Sequence, residues 1–311
     1  MTRPAAALIA LVSTALVAGC GSSDKSTTDA STTTTSAAPP KTLEALWRAP
    51  GQDVAIVPGT ADFGVGTNRV SFLIVSKQSQ LVERPTARVW IARGLKQKPY
   101  AETTAKLEPI GVPGGAKADA QSIYVTSLRT PTPGTYWILA EPVGGKPIQA
   151  LGNLVVRKKA AAPSEGERAI PSRNPTLQPG ASAKSVRAAT TAEPPDFILL
   201  RTTVAAAMAA KRPFVVTFST PLYCQTRTCG PVVQVVESVA KASQGSGVDF
   251  IHIEVYKDND PSKGTNRWVN EWNLQSEPFT FVVDRNGVIR TRLEGAFSTA
   301  ELEAAVRKVA A

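Results

Sequence analysis

No stretch limits the folding of this chain more than Phe214-Val-Val-Thr-Phe218, followed by Cys224-Gln-Thr-Arg-Thr-Cys229-Gly-Pro231 and an apolar-periodic run to Ala240. A β-branched and aromatic run predicts a buried strand. Pro231 lacks an N–H and suits the first turn of a helix, where backbone donors have no intrahelical acceptor anyway. The chain therefore passes from strand to helix across a short polar loop that carries two cysteines. Residues five apart do not share a helix face, so a bonded pair needs at least one member in the loop. A thiol there feels the positive end of the helix dipole and the basic Arg227, and both favour thiolate. A thiolate attacks a foreign disulfide, and a second thiol close by resolves the mixed intermediate. The other reading of the pair is a bond that merely pins loop to helix.

The residues that follow alternate between strand and helix signals. Val248 to Val255 reads as a strand, Asn266 to Asn273 as a helical piece, and Pro278 to Val283 as a strand. Asp284-Arg-Asn-Gly287 predicts a tight hairpin turn with positive φ at Asn-Gly, and Val288 to Leu293 returns as the partner strand. Ser298-Thr-Ala-Glu301 is a capping box opening the last helix. With the Ala-rich helix at Val204 to Ala210, this order over residues 196–311 resembles the thioredoxin-like family, an α/β fold.

That resemblance implies roles residue by residue. Matching the first cysteine to the family's first makes Cys224 the nucleophile and Cys229 the resolver. Matching Cys229-Gly-Pro-Val232 to the family's Cys-Gly-Pro-Cys makes Cys229 the attacker but leaves Cys224 unexplained, so the first register is preferred. The family's pair is usually Cys-x-x-Cys, whereas this one is Cys-x-x-x-x-Cys. Glu277-Pro278 resembles the cis-proline site facing the cysteines, which makes both residues candidates for substrate binding. Thr217 stands where thioredoxins often carry a buried Asp, and a hydroxyl cannot relay a proton as a carboxylate does.

His252 is the sole histidine and reads as a packed or edge side chain of its strand. Copper chaperones of the Sco type share the fold and add a histidine to two cysteines. The matching place here is Ser276-Glu277-Pro278, without one. Two thiolates alone suit Cu(I), the third reading after redox chemistry and a structural bond. No cofactor and no metal is expected. Peroxidase chemistry is disfavoured, because no Pro-x-x-x-Thr-x-x-Cys pattern precedes the pair.

Toward the other end, Arg3 precedes an apolar run, Ala5 to Val17, that closes in Leu16-Val-Ala-Gly-Cys20. The run has the length of a signal-peptide core and is short for a membrane span. Small residues before a cysteine resemble the lipobox of bacterial lipoproteins, which implies cleavage before Cys20 and lipidation there. Setting Cys20 aside leaves two of three cysteines, close neighbours that can pair outside the cytoplasm without an orphan thiol. The expected location is the extracytoplasmic face of a cell membrane. Expected partners are envelope proteins with thiols or disulfides and a redox partner protein. The net charge is +10, and +9 without Arg3. That excess suits anionic lipid or wall polymers, but no basic stripe with interleaved aromatics points to nucleic acid.

Residues 20–44 are rich in Ser, Thr and Ala and read as a tether. From 45 to 157, short β-favouring runs such as Val70 to Val75, Ala87 to Ile91, Ser122 to Thr126 and Thr135 to Ala140 are separated by Gly-Pro punctuation. This predicts an antiparallel β-sandwich, and Pro133-Gly-Thr-Tyr136 resembles the turn and strand entry of immunoglobulin-like modules, which implies an immunoglobulin-like sandwich. It contains no cysteine or histidine, so it offers no soft or imidazole metal site. Residues 158–195, rich in Ala, Pro and Ser, read as a linker. The expected organisation is a signal peptide over 1–19, a tether, the sandwich, the linker and a thioredoxin-like domain over 196–311. The expected activity is extracytoplasmic thiol–disulfide exchange through Cys224 and Cys229. A non-catalytic module held by one bond is the alternative.

Overall fold

Apolar side chains at every second position build the first half of the molecule. In the computed structural model, which describes residues 41–52, 54–114, 120–178, 180–224 and 229–310, a short helix α1 (Leu43–Trp47) precedes eight strands. These are β1 (Val54–Pro58), β2 (Phe63–Gly64), β3 (Gly66–Ser76), β4 (Thr86–Ala92), β5 (Ala101–Pro109), β6 (Ser122–Thr130), β7 (Gly134–Pro142) and β8 (Ala150–Arg157). Inward rows such as Val70, Phe72 and Ile74, or Tyr136, Ile138 and Ala140, fill one cluster. Cys20, the apolar leader and Arg227 lie outside the described residues.

The strand order β1-β3-β6-β5-β4-β7-β8 closes on itself, because β1 also pairs with β8, parallel, at Ala55 and Leu151. Seven strands thus form a closed barrel, with β2 attached along β8. Alternating rows fit two facing sheets or one curled sheet equally well, and only the meeting of first and last strands decides between them. Gly152 of β8 permits that meeting, since a Cβ there would lie 3.1 Å from the Cβ of Ile56 on β1.

The remainder supplies α2 (Ala183–Ala189), α3 (Val204–Ala209), β9 (Phe214–Phe218), α4 (Cys229–Ala242), β10 (Asp249–Ile253), α5 (Arg267–Glu271), β11 (Phe279–Val283), β12 (Ile289–Glu294) and α6 (Thr299–Arg307). Strands β10, β9, β11 and β12 form a small mixed sheet in that order. β9 is its centre, parallel to β10 and antiparallel to β11, and all five of its residues are buried. At the β11–β12 turn, Gly287 N–H donates to Asp284 O and the Asp284 carboxylate accepts from the Asn286 and Val288 amides. Only Gly287 of the Asn-Gly pair takes a positive φ, 75°, with a register shift beside the turn. This is the longer hairpin that ends in a left-handed glycine, so the positive φ expected of Asn-Gly falls on Gly287 alone.

The expected fold class, an immunoglobulin-like sandwich plus a C-terminal α/β thioredoxin-like fold, is therefore corrected. The chain forms a closed seven-stranded barrel and a second small sheet, with few helices. One face of the second sheet keeps its own core, with Phe214, Phe218, Trp272 and Phe281, but the other face shares one with the barrel half. Ile110, Ala120 and Ile123 of the barrel half join Val232, Val236 and Val239 of α4 and Leu302 and Val306 of α6 in one cluster, and residues 40–311 form one compact unit.

Buried charge crosses the same boundary. The Asp62 carboxylate accepts from the Ala161 and Ala162 amides and from Arg292 of β12 at 2.6 Å. Glu294 of β12 accepts in turn from the Ala61 and Asp62 amides. Arg69 of β3 forks onto Glu301 of α6 at 2.6 and 3.0 Å. The Ser298 hydroxyl caps the Glu301 amide as expected, but the Glu301 carboxylate serves Arg69. Residues 158–195 wrap the small sheet: Ala169 N–H donates to Gly287 O, Ser172 bridges Glu271 and Trp272, and Asn174 accepts from Val204 N–H. No helix among the described residues is long and apolar enough to cross a membrane.

Candidate functional site

The site lies where β9 and β10 end side by side, since parallel strands in register deliver their outgoing loops to one edge. After Phe218, the buried Ser219 and Thr220 lead to a turn that ends at Cys224. α4 begins at Cys229, with Pro231 in its first turn and Val232, Val235, Val236 and Val239 buried. That valine stripe fixes the helix against the sheet and so aims its first residue at the loop.

Cys224 and Cys229 are joined as a disulfide, with Cα atoms 5.9 Å apart. The two ends differ. Cys229 is fully buried, whereas Cys224 is half-buried at the rim. The Cys229 N–H donates to the Cys224 sulfur at 3.3 Å, so an unpaired helix donor points at the outer sulfur. The Ser219 hydroxyl donates to the Cys229 carbonyl, and His252 Nε2–H donates to the Ser219 carbonyl at 2.9 Å. His252 is thus packed beneath the loop, as expected of a strand side chain. Thr217, fully buried, shares a hydrogen bond with Thr280 across the strands.

Glu277 and Pro278 come to the same place from the start of β11, and their peptide bond is cis. The Pro278 carbonyl accepts from Gly295 N–H. Glu277 Oε2 lies 3.8 Å from the Cys229 sulfur, and Oε1 accepts from the Tyr256 hydroxyl at 3.5 Å. Burial pushes the Glu277 carboxyl up to about 7, opposed by the Thr220 amide that donates to it and assisted by the negative charge of Glu254. Tyr256 is raised as well, first by burial and then by Glu277.

Three contributors carried no sequence signal of their own. Glu254 holds the Thr191 amide and hydroxyl through Oε1, and that hydroxyl accepts from Leu222 N–H. Tyr256 stacks edge-on against Tyr223. Ser219 carries the Cys229 carbonyl. The ends of β9 and β10 were the only available pointer to them, because loops leaving parallel strands at one edge converge. Leu222 and Tyr223, 64% and 40% exposed, stand beside the disulfide on a cleft of about 720 Å³ that also takes Thr191, Ala192 and Pro194. Among the described residues, no group of three or more His, Cys, Asp or Glu side chains converges as metal ligands would.

No family model matches the chain, and no curated protein is similar to it. Among solved structures, it is similar to a thioredoxin-family thiol:disulfide interchange protein from Chlorobium tepidum TLS, with 16% identity and a TM-score of 0.28 over 35% of this chain and 86% of that one. A second Chlorobium tepidum protein, assigned as the thiol:disulfide interchange protein DsbE, has 16% identity and a TM-score of 0.27 over 33% of this chain and 84% of that one. The filamin domain of Lin-41 has 10% identity and a TM-score of 0.20 over 35% of this chain and 96% of that one. The likenesses are weak, and each covers about a third of the chain.

Proposed function

We propose that this chain is a thiol–disulfide oxidoreductase that cycles Cys224 and Cys229 between dithiol and disulfide. The observation that carries the reading is the asymmetry of the bond: one sulfur at the rim, the other sealed at the head of a helix. Exchange needs that arrangement. An incoming thiolate must line up with the sulfur it attacks, and the departing sulfur must stay close enough to return. Cys224 is then the sulfur that meets the client and Cys229 the one that resolves. The amide of Cys229 aimed at Cys224 stabilises a thiolate there.

Glu277 and the cis Pro278 border the place where a client chain would lie, and the exposed Leu222 and Tyr223 flank it. The run Leu16-Val-Ala-Gly-Cys20 supports export and lipid anchoring at Cys20, which would place the activity on the outer face of a membrane. Clients would then be envelope proteins with thiols or disulfides, served by a redox partner protein.

The second reading, a bond that only pins loop to helix, draws on the complete burial of Cys229. Equilibrating the full chain with glutathione redox buffers tests both. A catalytic pair comes to equilibrium with the buffer, whereas a potential below roughly −300 mV would reject exchange and leave the structural bond.

A further inference from the structure

Cys229 presents a proton problem. When the bond opens, its sulfur departs with an electron pair into a place without contact with bulk water, where an unpaired charge is costly. When the bond closes, the same sulfur must lose a proton before it attacks. Ser219 donates to the Cys229 carbonyl, Thr217 and Thr280 share a hydrogen bond, and His252 gives Nε2–H to the Ser219 carbonyl while its buried Nδ1 has no partner. Among the described residues, the carboxyl in reach of the sulfur is that of Glu277, at 3.8 Å.

We propose that Glu277 is a catalytic residue of the exchange reaction, giving the proton to Cys229 when the disulfide opens and taking it back when the bond forms. The inference rests on the exchange reading and adds a group to it. In the opening step, a client thiolate attacks the Cys224 sulfur and the Cys224–Cys229 bond breaks. The electron pair passes to the Cys229 sulfur, which takes the proton of the Glu277 carboxyl and leaves a carboxylate. In the closing step, that carboxylate removes the proton from the Cys229 thiol. The freed thiolate attacks the Cys224 sulfur of the mixed disulfide, and the client leaves as a thiolate.

The groups facing Glu277 fit both duties. Tyr256 and the Thr220 amide hold the carboxyl in place and stabilise its charged form. Burial and the Glu254 charge, from the end of β10, oppose that form and bring the carboxyl to about 7, where acid and base are both present near neutrality.

The reduced full chain, treated with an excess of a nitrobenzoate disulfide whose thiolate is coloured, tests this. The first release reports attack by Cys224 and the second reports closure by Cys229. In the wild type, the second rate should climb with pH through about 7. In Glu277→Gln, the second release should slow by about 100-fold relative to the first at neutral pH, rising only as the thiol itself ionises. Glu277→Asp should retain the inflection at a reduced rate, which a purely structural role would not produce. A second release in Glu277→Gln with wild-type rate and pH profile overturns the role of Glu277 alone. A wild type with no second release overturns the exchange reading beneath it.

Discussion

A carboxyl held near neutrality weakens the fold at high pH, and removing it should strengthen the fold there. Glu277 has a folded value of about 7 against 4.5 in the unfolded chain, so the folded form holds a proton that the unfolded form has lost between those limits. For a raised carboxyl, stability is greatest below the unfolded value and declines as pH rises through the folded one. The gap corresponds to about 3 kcal/mol. Partial exposure of the side chain lets water screen the charge, which reduces the expected effect to about 2 kcal/mol. Glu277→Gln keeps the shape and the hydrogen-bond acceptor for Tyr256 but cannot ionise. Urea unfolding of both proteins with the disulfide intact should give stabilities within about 0.5 kcal/mol at acidic pH, diverging to about 2 kcal/mol in favour of Gln above neutrality. Asp196 is likewise raised to about 7, by burial and by Glu237, but it is present in both proteins and cancels from the difference. A difference that stays flat across the range, or favours Glu as pH rises, would refute the buried-carboxyl account.

Other outcomes follow from the join between the barrel and the small sheet. Asp62→Asn leaves Arg292 facing a neutral amide inside the boundary, and should cost about 3–5 kcal/mol in urea unfolding; a loss under about 1 kcal/mol would show that water, not Asp62, satisfies that arginine. Gly295→Ala places a Cβ 2.2 Å from the Gly59 carbonyl at a φ of 74°, and should lower stability by more than about 2 kcal/mol, whereas unchanged melting would mean that the two backbones do not approach as closely as described.

Local elements were legible because their causes are local. Short β-branched and aromatic runs at Val70 to Val75 and Thr135 to Ala140 mark β3 and β7, and Ser298 caps α6. Pro231 and the valines after it mark the start of α4. Cys224 and Cys229 could be brought together by chain length alone, and a proline at the head of a strand beside them raised the question of a cis bond at Glu277. Barrel closure was hidden, because β1 and β8 lie about a hundred residues apart and nothing in either run names the other. The second sheet's shared core was hidden for the same reason. Ile123 faces outward from the barrel, and only the arrival of Val232 and Leu302 shows why it is apolar.

At the site, residue types set the chemistry available: two thiols, a carboxyl, a helix start. Which sulfur meets solvent, how near Glu277 comes to Cys229, and how far burial raises that carboxyl were decided only when β9, β10 and β11 met at one edge. The amino-acid order determines which groups exist and which neighbours along the chain can interact. Distance, solvent access and local charge between remote segments belong to the packed molecule, because burial is a property of what surrounds a group and not of the group itself.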